Sequence, residues 1–359
     1  MESDPMNFDV LMPAILFFVT LTAMFLGRKA ESKLKATVEQ REFKTRDTII
    51  MVAIIAVAVS IVMFVPSMAI MALFLFSYSS LLFMVSYAFS DMKTKRMALY
   101  TVGFILTSII AGAAGFFGLI PADLRVFGTL SFACFATLAF LALTYAKTNP
   151  TAKPKWYVAA LSPILFLLLF AFFSGTFIWF PYLLDVYGII FALLIVMYMN
   201  SLFTWKTVFI FAAFITALDI VLVWLTGTMV QAAEQISGLG LPVLVAFPTI
   251  PTISSAQGIL MMRLGLGDFF FAGVLSSQTM KRFGKRTAIA SLVTICISFG
   301  LFEIILLNKS LAAALPVQAL PATLPILLGW LPIVAVKMLS GRDQKSKVET
   351  QSPPTEQKN

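Results

Sequence analysis

The chain has 359 residues, 60% apolar and only 12% charged, with 26 Lys and Arg against 17 Asp and Glu for a net charge of +9. Soluble domains carry about 25% charged residues, so this composition, with a mean hydropathy of +0.94, excludes a soluble globular domain and marks a polytopic membrane protein. The positive charge does not imply nucleic acid, because the basic residues lie in short segments between apolar runs.

Runs of about 20 apolar residues predict eleven spans. In chain order they are Phe8–Leu26, Thr48–Val65, Ser67–Phe89, Met97–Leu119, Val126–Tyr145 and Tyr157–Phe177, then Leu184–Phe203, Thr207–Thr226, Ile259–Met280, Thr287–Leu307 and Ala314–Met338. The expected fold class is all-α, a transmembrane helix bundle of about eleven spans. The second and third spans are divided only by Pro66-Ser67. The first span follows acidic Glu2 and Asp4 and precedes Arg28-Lys29, which is unlike a signal peptide. Cys134 and Cys296 both fall within spans and read as small core residues, with no disulfide framework or cysteine metal site.

The basic residues orient the spans. With the N-terminus outside, the inner segments hold twenty-three of the 26 Lys and Arg, and only Arg125, Arg263 and Lys309 fall elsewhere. This positive-inside pattern places the C-terminus in the cytoplasm. The longest outer loop is Gly227–Gly258, and the polar residues after Ser340 predict a disordered tail.

Two carboxylates stand alone in apolar spans, Asp219 and Asp268, the latter within Gly265-Leu266-Gly267-Asp268. Ionisable groups at bilayer depth are expensive and are usually kept for a function. Asp219 lies thirteen residues after Lys206, and Asp268 thirteen before Lys281. At 1.5 Å per residue both sit about 20 Å from the cytoplasmic boundary, level with each other on antiparallel helices. Facing carboxylates in a low-dielectric site share a proton, so one can serve as general base and the other as general acid. The chain has no histidine, which excludes a serine–histidine hydrolase and a His-Glu-x-x-His zinc protease. Gly265 and Gly267 would let a helix or a substrate strand approach closely. A structural hydrogen-bond acceptor, or the ion site of a proton- or cation-coupled transporter, is the competing reading of the pair. Glu303 near an outer span end and Asp185 at a span edge read as structural and interfacial, and Arg263 as a snorkelling residue. Asn308-Lys309-Ser310 fits a glycosylation sequon.

These residues resemble the presenilin/signal peptide peptidase family of intramembrane aspartyl proteases. Gly265-Leu266-Gly267-Asp268 matches the family's Gly-x-Gly-Asp, and Leu218-Asp219 keeps the other aspartate without the tyrosine that usually precedes it. Gly227-Thr228, Leu241 to Pro248 and Leu260-Met261-Met262 are similar to the signal peptide peptidase branch. The Pro-Ala-Leu element is present in part, as Ala319-Leu320-Pro321 and as Pro321-Ala322-Thr323-Leu324-Pro325 with an inserted threonine. The resemblance implies catalytic Asp219 and Asp268, with Gly265, Leu266, Gly267, Ala319, Leu320, Pro321 and Ala322 binding substrate. It implies no metal or cofactor, and partners that are transmembrane peptides or membrane proteins within the lipid bilayer. It divides the chain into N-terminal helices 1–205, with an extra pair at about 97–146 added to a nine-span core, a catalytic core 206–340 and a tail 341–359. Prepilin-type peptidases also use Gly-x-Gly-Asp but cut near the cytoplasmic face. The absence of an organelle address points to a prokaryotic plasma membrane, archaeal by preference.

Overall fold

Long apolar stretches in a bilayer satisfy their backbone groups internally by becoming helices, and this chain does so throughout. The computed structural model describes residues 7–38, 42–62, 64–91, 93–149, 155–255, 258–308 and 321–350. In order, the helices are α1 (Leu11–Val38), α2 (Thr45–Val62), α3 (Ser67–Ala88), α4 (Thr94–Ala114), α5 (Arg125–Thr148), α6 (Trp156–Ala159), α7 (Leu161–Phe173) and α8 (Leu184–Met199). There follow α9 (Trp205–Ile220), α10 (Thr228–Ser237), α11 (Leu266–Phe283), α12 (Lys285–Leu307) and α13 (Thr323–Thr350). A π-helical turn extends α9 to Leu225, whereas the segments that follow α4 to Leu119 and lead into α8 from Ile178 are kinked, with non-helical backbone at Gly118 and Phe180.

Among the described residues nine helices are long and apolar enough to cross a bilayer, so the protein is an integral multi-pass membrane protein built as a helical bundle. Leu11–Gly27 is a shorter apolar stretch. α11 is held out of the nine by its own polar run, Ser276-Ser277-Gln278-Thr279 followed by Lys281-Arg282. Large apolar side chains such as Phe76, Leu99, Ile110 and Phe127 face outward, where lipid replaces water as the solvent. Phe132, Phe166, Phe191, Phe211, Phe269 and Trp330 fill the interior.

The bundle is mostly helical, as expected, and it carries a small strand element. β1 (Leu244–Pro248) pairs antiparallel with β4 (Met261–Gly265), and the short β2 (Ser254–Ser255) with β3 (Gly258–Ile259). The expected span Ile259–Met280 is therefore a strand as far as Gly265 and a helix from Leu266. A short apolar run fits a buried strand as well as a buried helix, and two glycines at 265 and 267 oppose helix. The outer loop Gly227–Gly258 is structured as α10 and the first arm of this hairpin. Finally, helix α13 continues to Thr350, ten residues into the expected tail. Arg342, Gln344, Lys345, Lys347 and Glu349 favour helix, and the first proline after them is Pro353. Residues 351–359 lie outside the described residues.

α4 and α5 pack chiefly on each other and reach the rest of the bundle through α6 and α7 and through the Tyr100–Ser86 contact with α3. The Ser108 hydroxyl donates to the Phe132 carbonyl across their interface at 2.5 Å. α11 lies at the centre, against α1, α8, α9, α12 and α13. Gly273 permits this, since a Cβ there would stand 2.6 Å from both methyls of Val196. The Gln278 amide donates to the Asn200 and Phe203 carbonyls at 3.2 and 2.8 Å. The Trp330 indole donates to the Thr279 hydroxyl at 2.8 Å. Gln278 and Thr279 of this polar run thus make interhelical bonds that fix α11, a common use of polar groups in lipid.

Candidate active site

The site is built where a strand turns into a helix. Gly265 ends β4 and is the N-cap of α11, which makes Asp268 the third residue of the helix. The Asp268 carboxylate accepts the Gly265 backbone N–H, one half of a capping box. A carboxylate in the first turn also suits the helix dipole. Gly265 leaves room for this turn, because a Cβ there would meet Asp268 Oδ2 at 3.2 Å. A Cβ on Gly267 would meet nothing within 4 Å, so its backbone stands open to the cavity it lines.

Asp219 comes from the last turn of α9, which starts at a Thr204–Thr207 capping box. Residues 206–219 and 268–281 are both continuously helical, so the equal rise of about 20 Å holds along each. Gln278 ties the far end of α11 to the start of α9, which aligns the two helices end to end. The two aspartates lie within Coulombic reach of one another. They line the same two cavities, of about 430 and about 140 Å³. Asp219 is buried and Asp268 half-buried.

Pro321, Ala322 and Pro325 line the larger cavity beside the aspartates. Ala319 and Leu320 lie outside the described residues. Leu266 is buried in the core rather than facing the cavity, and its N–H donates to the Val243 carbonyl at 3.1 Å. It positions the turn.

Thr323, the residue that interrupts the Pro-Ala-Leu pattern, has a role that sequence reasoning missed. Its hydroxyl donates to Asp219 Oδ2 at 2.6 Å, and its backbone N–H approaches the same oxygen at 3.4 Å. Leu218 leaves Asp219 without a hydroxyl from the preceding residue, and one arrives instead from the start of α13.

The hairpin forms another wall. Asp185 on α8 is buried and accepts the Ala246 N–H at 2.8 Å, so it closes the outer edge of β1 and is not interfacial. The alternation that turns Ala246 N–H away from β4 also turns the N–H and C=O of its register partner Arg263 away from β1. Among the described residues no hydrogen bond occupies Arg263 on that edge, and Met262, Arg263 and Leu264 border the cavity of the aspartates. Arg263 is therefore an exposed strand residue beside the cavity. Glu303, expected to reach water, is 3% exposed and lines the same cavity. Asn308 is engaged through its amide, donating to Asn7 and Ile304 carbonyls at 2.8 and 2.6 Å, which leaves the sequon nitrogen occupied.

The arrangement sets two carboxylates on one largely apolar cavity, beside a strand edge that carries, among the described residues, no hydrogen bond at Arg263. Among the described residues no group of three or more His, Cys, Asp or Glu could hold a metal ion. No protein-family model matches the chain, and comparison with curated proteins finds no match.

Proposed function

We propose that the protein is an intramembrane aspartyl endopeptidase that hydrolyses peptide bonds within transmembrane segments. The observation that carries this reading is the shared cavity. Asp219 and Asp268 share it at equal helical depth, beside the edge of β4 that is unpaired among the described residues and the proline-rich start of α13. An extended substrate pairing with β4 would present its backbone to the dyad, since an open strand edge accepts a further strand. One carboxylate takes a proton from water as the oxygen attacks the carbonyl carbon, and the other gives its proton to the carbonyl oxygen. Collapse of the tetrahedral intermediate returns a proton to the departing amine. The prolines favour an interrupted helix at the cavity, because proline lacks the N–H and clashes with the preceding turn.

On this reading the eleven sequence spans all cross the bilayer, with the N-terminus outside. The branch within the presenilin/signal peptide peptidase family is that of signal peptide peptidase, and the substrates are signal-peptide remnants or type II anchors. A transmembrane peptide incubated with purified protein should be cut within its apolar stretch, with the site located by mass spectrometry. An intact peptide, together with proton or cation flux in proteoliposomes, would favour the transporter instead.

A further inference from the structure

Glu303 is the polar feature of the catalytic cavity that the dyad does not use. It comes from α12 and is 3% exposed, and among the described residues neither carboxylate oxygen has a hydrogen-bond partner. A buried carboxylate without donors is costly as an anion, so it either takes up a proton or gains a cationic partner. Two other charged residues line this cavity, Glu234 and Arg263, both exposed, and no ion pair joins Arg263 to Glu303. Asp9 lies within Coulombic reach of Glu303, but its oxygens already accept the Leu11, Met12 and Ile250 amides. It adds negative potential and no donor. The remaining wall is largely apolar, including Phe299, Phe302 and Leu306 of the same helix.

The level of Glu303 fixes which part of a substrate it would meet. It lies eighteen residues after Lys285 along continuous helix, a rise of about 27 Å, so it stands about 7 Å beyond the aspartates. An extended chain advances about 3.3 Å per residue, so this distance corresponds to about two residues.

We propose that Glu303 is a specificity-determining residue, an acidic subsite that receives a lysine or arginine side chain about two residues from the cleaved bond, on the side facing away from the Lys281–Lys285 turn. The inference rests on the peptidase reading for its geometry. A basic residue in an apolar segment is itself expensive in lipid. The subsite therefore joins two groups that each lack a partner, and selects segments carrying one positive charge near the cut.

The test uses the full-length protein and one transmembrane peptide in which Lys replaces Leu at successive positions around the cut. Wild-type kcat/KM should favour Lys over Leu at one position, two residues from the cut, by roughly tenfold, as expected for a charge-assisted hydrogen bond. In Glu303→Gln that Lys/Leu ratio should fall toward one, and in Glu303→Asp, which keeps the charge, it should stay above one. Absence of a Lys advantage at every position in the wild type overturns the proposal without any variant, as does an advantage that survives in Glu303→Gln. Binding of the same fluorescent peptides, read by anisotropy, separates the two readings. Preferential binding of the Lys peptide without cleavage of either peptide would sink the peptidase reading and uphold the subsite. Cleavage and binding without preference would do the reverse.

Discussion

Replacing Thr323 with valine separates an Asp219 that works from one that merely caps a helix. Valine keeps the shape of threonine and removes one atom's chemistry, the hydroxyl that donates to Asp219 Oδ2 at 2.6 Å. The backbone N–H at 3.4 Å stays, so the carboxylate keeps a weak tether to α13. A hydrogen bond to a charged group is worth about 1.5–3 kcal/mol. If this bond orients the carboxylate for proton transfer, its loss lowers kcat by roughly ten- to a hundredfold. KM should change little, because the bond is internal to the protein. Thr323→Ser restores the donor and should recover most of the rate. The assay is steady-state cleavage of a transmembrane peptide by purified wild type, Thr323→Val and Thr323→Ser, with thermal unfolding of each followed in parallel. Wild-type kcat in Thr323→Val would refute the reasoning. Should the melting temperature fall while kcat stays unchanged, the Asp219–Thr323 contact is a helix cap and nothing more.

Other consequences follow from the hairpin, the proline-rich element and the orientation of the spans. Asp185→Leu leaves the Ala246 N–H without an acceptor and should cost about 1–3 kcal/mol of stability, whereas Asp185→Asn keeps an acceptor and should melt close to wild type; equal melting of Asp185→Leu and wild type would contradict the edge-capping role. Pro321→Ala restores a backbone donor beside the cavity and should slow proteolysis more than it lowers expression; wild-type turnover would make this an ordinary proline at a helix start. In proteoliposomes of known sidedness, an apolar segment with its N-terminus on the cytoplasmic side should be cleaved in preference to the same segment reversed, because strand pairing imposes one polarity. Equal cleavage of both would remove the orientation claim and leave the aspartyl mechanism in place.

Much of this could be read from residue order, for physical reasons that also mark where the reading stops. Helices in lipid follow hydropathy, and each of the eleven expected spans coincides with a helix over most of its length. The stretch before Gly265 was the exception. Met261-Met262-Arg263-Leu264 is apolar but for Arg263, and its strand state depends on Leu244 to Pro248, a partner that no local pattern announces. The level match of Asp219 and Asp268 was legible because helical rise is constant, and the two line the same cavities. Contacts across the chain were not legible. Thr323 lies 104 residues from Asp219, and Asp185 lies 61 from Ala246. Glu303 shows the limit of reading depth from span position alone. Its place near the end of α12 suggested water, but its burial depends on what the neighbouring segments cover.

The measurement that bears most directly on the central claim is cleavage by Asp219→Asn and by Asp268→Asn, each purified and shown to unfold cooperatively like the wild type. Two carboxylates that share one proton act as a unit, and such units fail when either member is lost. Both variants should therefore leave a transmembrane peptide intact under conditions where the wild type cuts it within the apolar stretch. Substantial cleavage by either variant would contradict the paired-aspartate account.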